Sequence, residues 1–377
     1  MNTRLPHVLM TVDTEGGVWT YGLELVRACR PLGIRFTVAV LGRAPSDAAL
    51  AEMTSTGADV CSLPCRLEWM PDADADVERS AEWLSALAAR IHPDVVQING
   101  YAHAGLFSSP TIVVAHSCVC SWWRAVHGCA APPEWTQYRA RVRTALDTAV
   151  RVIAPTRAML DALEREHGRV EHGHVIWNGL DAEDIAVRKE DFIFAAGRLW
   201  DEAKNLEALD RIASRVIWPI VAAGSVTRPD GGEQPAAAIR SLGSVERQAV
   251  REWMQRAAIY AWPVLYEPFG LSVLEAAHAG CVLVLSDIPS LRELWSGAAT
   301  LVPPGDDAAL ARALNELATQ PQARASMADR ARARARAYST ARFGAEYARL
   351  YREVIGNDRS RAALSSTDSA AARMTRG

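Results

Sequence analysis

The chain has 377 residues, 49% of them hydrophobic, enough to bury one large core or two ordinary ones. A formal net charge of -3 argues against bulk electrostatic capture of nucleic acid, and no apolar run is long enough to span a bilayer. The opening "MNTRLPHVLM" lacks the long apolar segment of a secretory signal, so a cytosolic protein is expected, with peripheral contact at the inner membrane face left open.

In chain order, the first half carries seven short apolar, β-branched runs: "HVLMTV", "RFTVAVLG", "ADVCSLP", "DVVQING", "TIVVAHS", "RVIAPT" and "HVIWNG". Six more follow: "DFIFAAG", "VIWPIVAAG", "IRSLGS", "AIYAWP", "CVLVLSD" and "AATLVPPG". Each has strand length, and most end in Gly, Pro, Asn, Ser or Asp. Amphipathic helix patterns lie between many of them, for example at Gly22 to Leu32, Val77 to His92, Glu134 to Val150, Arg157 to His167, Leu206 to Val216 and Asp306 to Ala318. A βαβα rhythm of doubly buried strands predicts an α/β chain of open parallel sheets. Thirteen strands exceed one such sheet, and the charged stretch Leu180 to Asp191 reads as the linker between two Rossmann-like domains. The expected boundaries are 1–182, 183–340, a helix over 341–356 that packs back on the first domain, and a disordered tail over 357–377 that is poor in large apolar residues. The arginines of "ARASMADRARARARAY" fall on several faces and read as a solvated helix surface. Ligands of open α/β sheets bind beyond the carboxyl ends of the strands, so two such domains would form a cleft.

Candidate site residues fall at those strand ends. Gly16 and Gly17 follow the first strand, where glycine lets backbone approach a ligand, although the turn is not GxGxxG and is also readable as an ordinary turn. His116 ends "TIVVAH" at the presumed cleft, as a hydrogen-bond donor to a sugar or as a structural histidine. The following "CVCSWWRAVHG" would line an acceptor pocket or the core, and Asn178 with Gly179 is a turn signal. In "GRLWDEAKN", Arg198 and Lys204 bracket a strand end and a helix start, which suits a diphosphate; surface pairing with Asp201 and Glu202 explains them equally well. In "YEPFGLSVLEAA", the amides of Gly270, Leu271 and Ser272 open a helix from about Leu271 and offer a second anion site. Glu267 precedes that helix and Glu275 lies on it, where carboxylates accept hydroxyl hydrogen bonds, though a Glu near a helix start also needs no ligand. Together these groups suit a ligand with phosphates and hydroxyls on both sides of them, a nucleotide sugar.

The seven cysteines form no paired CxxC units and read as reduced structural thiols. A zinc site on them is the lesser alternative, no metal is expected at the cleft, and "DADAD" at Asp72 lies in a charged loop.

The order of these pieces resembles the retaining glycosyltransferases of family four, over about Val8 to Ile355: the turn at Gly16 and Gly17, "VVAHS", "APT", "NGLD", "GRL" plus a lysine, and the E-x7-E segment ended by "HAGCVLVLSD". Trp177 stands where the family often has proline, and "LGSV" is a reduced form of its strand-end segment. The resemblance implies the GT-B fold, two Rossmann-like domains with parallel sheets facing across a cleft, the N-terminal one on the acceptor side and the C-terminal one holding the donor. It implies Arg198 and Lys204 on the donor diphosphate, with Gly270, Leu271 and Ser272 amides beside them. It also implies Glu267 at the sugar hydroxyls, Glu275 at the ribose, His116 near the sugar, Gly16 and Gly17 against the diphosphate, and Asn178 on the hinge side of the donor site. The implied activity is metal-independent sugar transfer, with retention, from a nucleoside-diphosphate sugar to a sugar, lipid-linked or small-molecule acceptor, without a further cofactor and without nucleic acid. A nucleotide-sugar epimerase or hydrolase on the same fold is the rival enzyme, and a non-catalytic sugar-nucleotide binding protein the rival of another class.

Overall fold

A computed structural model describes residues 5–181, 187–228, 232 and 238–374, without the side chains of 359 and 361–374. Residues 182–186 of the expected linker lie outside the described residues, as do 229–231 and 233–237 in the Gly-rich stretch where base-binding residues would be sought. All thirteen expected strands form among the described residues. They are β1 (His7–Asp13), β2 (Arg35–Gly42), β3 (Asp59–Pro64), β4 (Val95–Ile98), β5 (Thr111–Val114), β6 (Arg151–Ala154), β7 (Gly173–Val175), β8 (Glu190–Ala196), β9 (Ile220–Ala223), β10 (Arg240–Ser241), β11 (Ala257–Trp262), β12 (Val282–Ser286) and β13 (Thr300–Val302).

They divide into two all-parallel sheets, ordered β3-β2-β1-β4-β5-β6-β7 and β10-β9-β8-β11-β12-β13. In each sheet the chain first steps outward, then returns past its own first strand. β1 therefore pairs with β2 (His7 opposite Arg35) on one side and β4 (Val8 opposite Val95) on the other. β8 does the same with β9 (Ile193 opposite Ile220) and β11 (Ile259 opposite Ile193). This reversal of strand order leaves a crevice at the carboxyl ends of β1 and β8, the usual ligand position in doubly wound sheets. The strands are apolar on both faces because helices cover both faces; Met10, Val38 and Val113 are completely buried in the first sheet, as are Phe194, Tyr260 and Val284 in the second.

The first helix, Gly17–Cys29, starts earlier than the Gly22 to Leu32 pattern suggests. Pro31 follows it in a 3-10 turn, Arg30–Leu32, that ends at Gly33 with φ 76°. The last helix, Thr340–Met374, crosses back onto the first domain. Phe343, Tyr347 and Tyr351 are fully buried in the core that includes Tyr21 and Phe36. Tyr21 Oη donates to Tyr347 Oη at 2.6 Å and Tyr351 Oη to Gln97 Oε1 at 2.5 Å, which satisfies hydroxyls that burial would otherwise penalise. Gly344 is the close-contact point, because a Cβ there would come within 2.7 Å of Ala28 Cβ. The helix backbone continues past Gly356 to Met374, where a disordered tail is the sequence expectation. Alanines and arginines supply helix propensity there without supplying apolar bulk.

Candidate active site

The crevice ends of the two sheets face each other. At the end of β1, Gly16 caps the first helix with extended backbone, φ 162°. A Cβ on Gly16 would lie 3.6 Å from Arg198 Nη1, and one on Gly17 would lie 3.6 Å from Leu271 Cδ1. The glycine turn of one domain therefore lies against both the arginine and the helix start of the other. Arg198 Nη1 also donates to the Glu15 carbonyl across the cleft at 3.2 Å.

Arg198 is not paired on the open surface. Its Nη2 donates to Asp201 Oδ2 at 3.2 Å, and Asp201 is 6% exposed. Asp201 Oδ1 accepts from Ala203 N at 3.0 Å, capping the Glu202–Lys204 turn, and from Trp122 Nε1 of the other domain at 3.0 Å. This carboxylate thus aims the guanidinium and ties it to the facing wall. Lys204 sits three residues on, and Asn205 follows in the left-handed region, φ 51°. Lys204 Nζ reaches Glu267 Oε2 at 2.9 Å and lies 5.8 Å from the centroid of the Trp262 ring. Trp262 Nε1 donates to the same carboxylate oxygen at 3.1 Å. The lysine therefore pairs with the first glutamate of the motif, and Glu202 pairs instead with Arg228 at 2.9 Å.

Beyond Glu267, Gly270 adopts φ 84°, which favours glycine, and the helix Leu271–His278 begins at its amide. The Val273 amide bonds the Gly270 carbonyl at 3.0 Å, while the Leu271 and Ser272 N–H groups precede the first intrahelical bonds and carry the positive end of the helix dipole. Glu275 Oε1, on that helix, accepts from Arg247 Nη2 at 3.3 Å. The same Arg247 nitrogen is 3.9 Å from Glu24 Oε1 of the first helix. One arginine therefore stands between a carboxylate of each domain.

His116 lies at the end of β5, its ring edge-on to Tyr21 at 4.3 Å between centroids. Its Nε2 bonds Asn99 Oδ1 at 3.1 Å, and Asn99 Nδ2 donates to the Thr11 carbonyl at 2.6 Å. With the amide so oriented, His116 carries its proton on Nε2. Burial holds the ring neutral and pushes its pKa down to about 3. Asp13, at the end of β1, is pushed up to about 6 by burial, against the lowering effects of the Glu15 amide and Arg198. Asn178, expected on the hinge side of the cleft, lies where the chain meets the last helix. It is buried at the domain crossing, and its carbonyl accepts from Arg342 Nη2 of the last helix at 3.4 Å. Gly179 beside it is pressed against that helix, since a Cβ would fall 2.5 Å from Phe343 Cβ. The segment packs on the last helix and is not gathered with the cations.

Sequence reasoning missed four side chains that complete the arrangement: Asp201, Trp262, Arg247 and Tyr266. Tyr266 Oη, one residue before Glu267, accepts from Cys118 N at 3.2 Å and bonds Ser121 Oγ at 2.9 Å in the other domain. Two more contacts fix the domains nearby. Thr156 Oγ1 donates to the Pro268 carbonyl at 2.9 Å, and Glu293 accepts from the Arg157 and Ala158 amides at 3.0 and 2.9 Å, capping a helix of the other domain. Asp201 was visible only as a surface partner for arginine, and the other three carried no local signal.

Comparison with known proteins agrees with this architecture. Residues 15–184 match the family described as Glycosyltransferase Family 4, and residues 190–320 match Glycosyl transferases group 1. A phosphatidyl-myo-inositol mannosyltransferase of Mycolicibacterium smegmatis is 26% identical over 91% of this chain and 92% of its own length. The solved structure of sucrose-phosphate synthase from Thermosynechococcus elongatus superposes with a TM-score of 0.77 at 17% identity, covering 94% of this chain and all of that one. Anabaena Alr3699/HepE in complex with UDP-glucose superposes with a TM-score of 0.70 at 16% identity, over 92% of this chain and 99% of that one.

Proposed function

Because the chain is a glycosyltransferase of the GT-B fold, we propose that it moves a sugar from a nucleoside-diphosphate sugar to a hydroxyl acceptor, with retention of anomeric configuration and without a catalytic metal. The observation that carries the reading is that Arg198 and the Leu271 helix start both lie against the glycine turn Gly16–Gly17 of the facing domain, with Lys204 on Glu267 just before that helix. Two side-chain cations and a helix N-terminus form a ready diphosphate cradle. They stabilise the charge that grows on the departing diphosphate, so the chain supplies from its own residues what a divalent ion supplies elsewhere.

Diphosphate entry requires Lys204 to turn from Glu267 to the phosphate oxygens. Glu267 is then free to accept from donor-sugar hydroxyls, still steadied by Trp262 Nε1. Glu275, exchanging Arg247 for a ribose hydroxyl pair, takes the other end of the donor. His116, neutral and with Nε2–H committed to Asn99, is held as an orienting group beside the sugar and does not act as an acid there. Domain closure excludes water and brings the acceptor hydroxyl against the anomeric carbon. The acceptor proton leaves on the same face as the departing diphosphate, whose oxygen receives it. Glu267 orients the sugar and forms no covalent intermediate.

The structural relative bound to UDP-glucose makes uridine donors the first to test. The experiment is a thermal-shift screen of nucleotide sugars, followed by incubation of each stabilising donor with sugar, lipid-linked and small-molecule acceptors and NMR of the product anomer. A product with the donor's anomeric configuration supports the reading. An inverted product removes the retaining assignment. Conversion of the donor with no acceptor present would make the chain a hydrolase or epimerase instead. The lipid-linked acceptors in the same screen test that acceptor class; among the described residues no helix is long and apolar enough to cross a membrane.

A further inference from the structure

We propose that Cys118, Cys120 and His167 form a binding site for one soft divalent cation, zinc by its chemistry, that lies outside the transfer site and clamps the wall against which the donor-side domain docks. The Cys118 and Cys120 thiols and a His167 ring nitrogen all lie within 4.8 Å of one another. A tetrahedral zinc with zinc–sulfur distances near 2.3 Å needs its ligand atoms about 3.8 Å apart, so closure takes only small side-chain rotations. Cys118 Sγ and His167 Nε2 are already 3.2 Å apart. Two thiols with an imidazole are a zinc donor set, and hard cations such as magnesium do not favour it. The Cys120 thiol also bonds Cys118, so both sulfurs and the imidazole already form one contiguous cluster.

The local fold aims these groups on purpose. Cys118 stands at the N-cap of the Val119–His127 helix, yet its side chain makes no capping bond and turns to His167. His167 is the last residue of the Arg157–His167 helix, so the ligands join two helices. Both thiols are buried, whereas His167 is only partly buried and leaves a route for the ion and for a water in the fourth position. Other buried cysteines are accounted for by backbone acceptors: Cys29 bonds the Gly344 carbonyl at 3.6 Å and Cys281 the Met254 carbonyl at 3.1 Å.

The two joined helices are the ones that receive the other domain. Cys118 N and Ser121 Oγ hold the Tyr266 hydroxyl, and Thr156, Arg157 and Ala158 at the far end of the second helix hold Pro268 and Glu293. A cation at their junction would fix the separation of these two docking points without touching the donor.

The test uses the full chain, stripped of metal with a chelator and titrated with cobalt(II) alone, then with zinc(II). The expected result is thiolate-to-cobalt charge-transfer absorption that saturates at one equivalent and is displaced by zinc, with a zinc-dependent rise in Tm. Cys120→Ser and His167→Gln are each expected to weaken cobalt binding at least tenfold, while Cys129→Ser, at an exposed thiol, leaves it unchanged. Absence of charge-transfer absorption in the wild-type chain would overturn the proposal, whether or not the variants fold. So would absorption that survives both substitutions or disappears with Cys129→Ser.

Discussion

Lys204 Nζ and Glu267 Oε2 form an ion pair of 2.9 Å whose side chains are only 10% and 13% exposed. In the proposed complex this pair stands where diphosphate and sugar meet, and each partner exchanges the other for a substrate group. Lys204→Ala should therefore lower kcat by about 10²–10³, the range found when one preorganised charge-stabilising group is lost. It should also cost about 1–3 kcal/mol of stability, less than a fully buried pair, because cleft water can reach the stranded carboxylate. Turnover with each active donor and chemical denaturation check both numbers, and near-normal kcat in this variant would remove Lys204 from the diphosphate.

Asp201 aims Arg198 and also takes Trp122 from across the cleft. Asp201→Asn keeps the size but weakens the charge-assisted bond to the guanidinium. It should lower kcat more than it raises KM, whereas Trp122→Phe, which removes only the cross-domain donor, should act mainly on KM. Steady-state kinetics of the two variants side by side separates aiming from docking.

Glu275 is shared between Arg247 now and a ribose in the proposed complex. Glu275→Ala should raise the donor dissociation constant about tenfold, roughly the worth of one charge-assisted hydrogen bond. Calorimetric titration with the nucleotide sugar measures it. Unchanged affinity would return Glu275 to the role of partner to Arg247.

His103 is buried and His116 partly buried, and desolvation pushes their pKa values down to about 4 and about 3. Their unfolded value is 6.5, so between that value and the folded ones the unfolded chain binds more protons. Their contribution to stability is complete above pH about 6.5 and declines as pH falls towards 4 and 3. His103→Asn should flatten the fall in Tm on that acid side, followed by calorimetry at successive pH values. An acid limb identical to wild type would show that the fold does not lower the His103 pKa.

Gly179 has no space for a side chain, with Ser339 O and Phe343 Cβ each 2.5 Å from a Cβ built there. Gly179→Ala should cost about 1–3 kcal/mol by forcing the last helix off the crossing. Denaturant unfolding measures it, and small-angle scattering should show a wider range of domain separations in this variant.

The strands were legible because each is a short, doubly apolar run, and parallel strands covered by helices on both faces must be apolar on both. Lys204 was legible as a cation near a helix start, but its partner was not. Glu202 is its neighbour in sequence, and the chain fold brings Glu267 instead, 63 positions away. The early start of the first helix escaped the periodicity because Gly17 to Tyr21 carry no clean apolar spacing. Asn178 was legible as a turn, but its contact with Arg342 of the last helix, 164 positions away, was not.

The amino-acid sequence by itself determined the two βα series, their parallel sheets and the residue types at the strand ends, since hydrophobic period and turn chemistry are local properties. Only the tertiary structure decided which charge meets which: Lys204 with Glu267, Arg198 with Glu15 and Asp201, Arg247 between Glu24 and Glu275, and two thiols with His167. Such pairings depend on distances between segments far apart in the chain. Those distances are set by how two separately built sheets dock, and no local pattern encodes them.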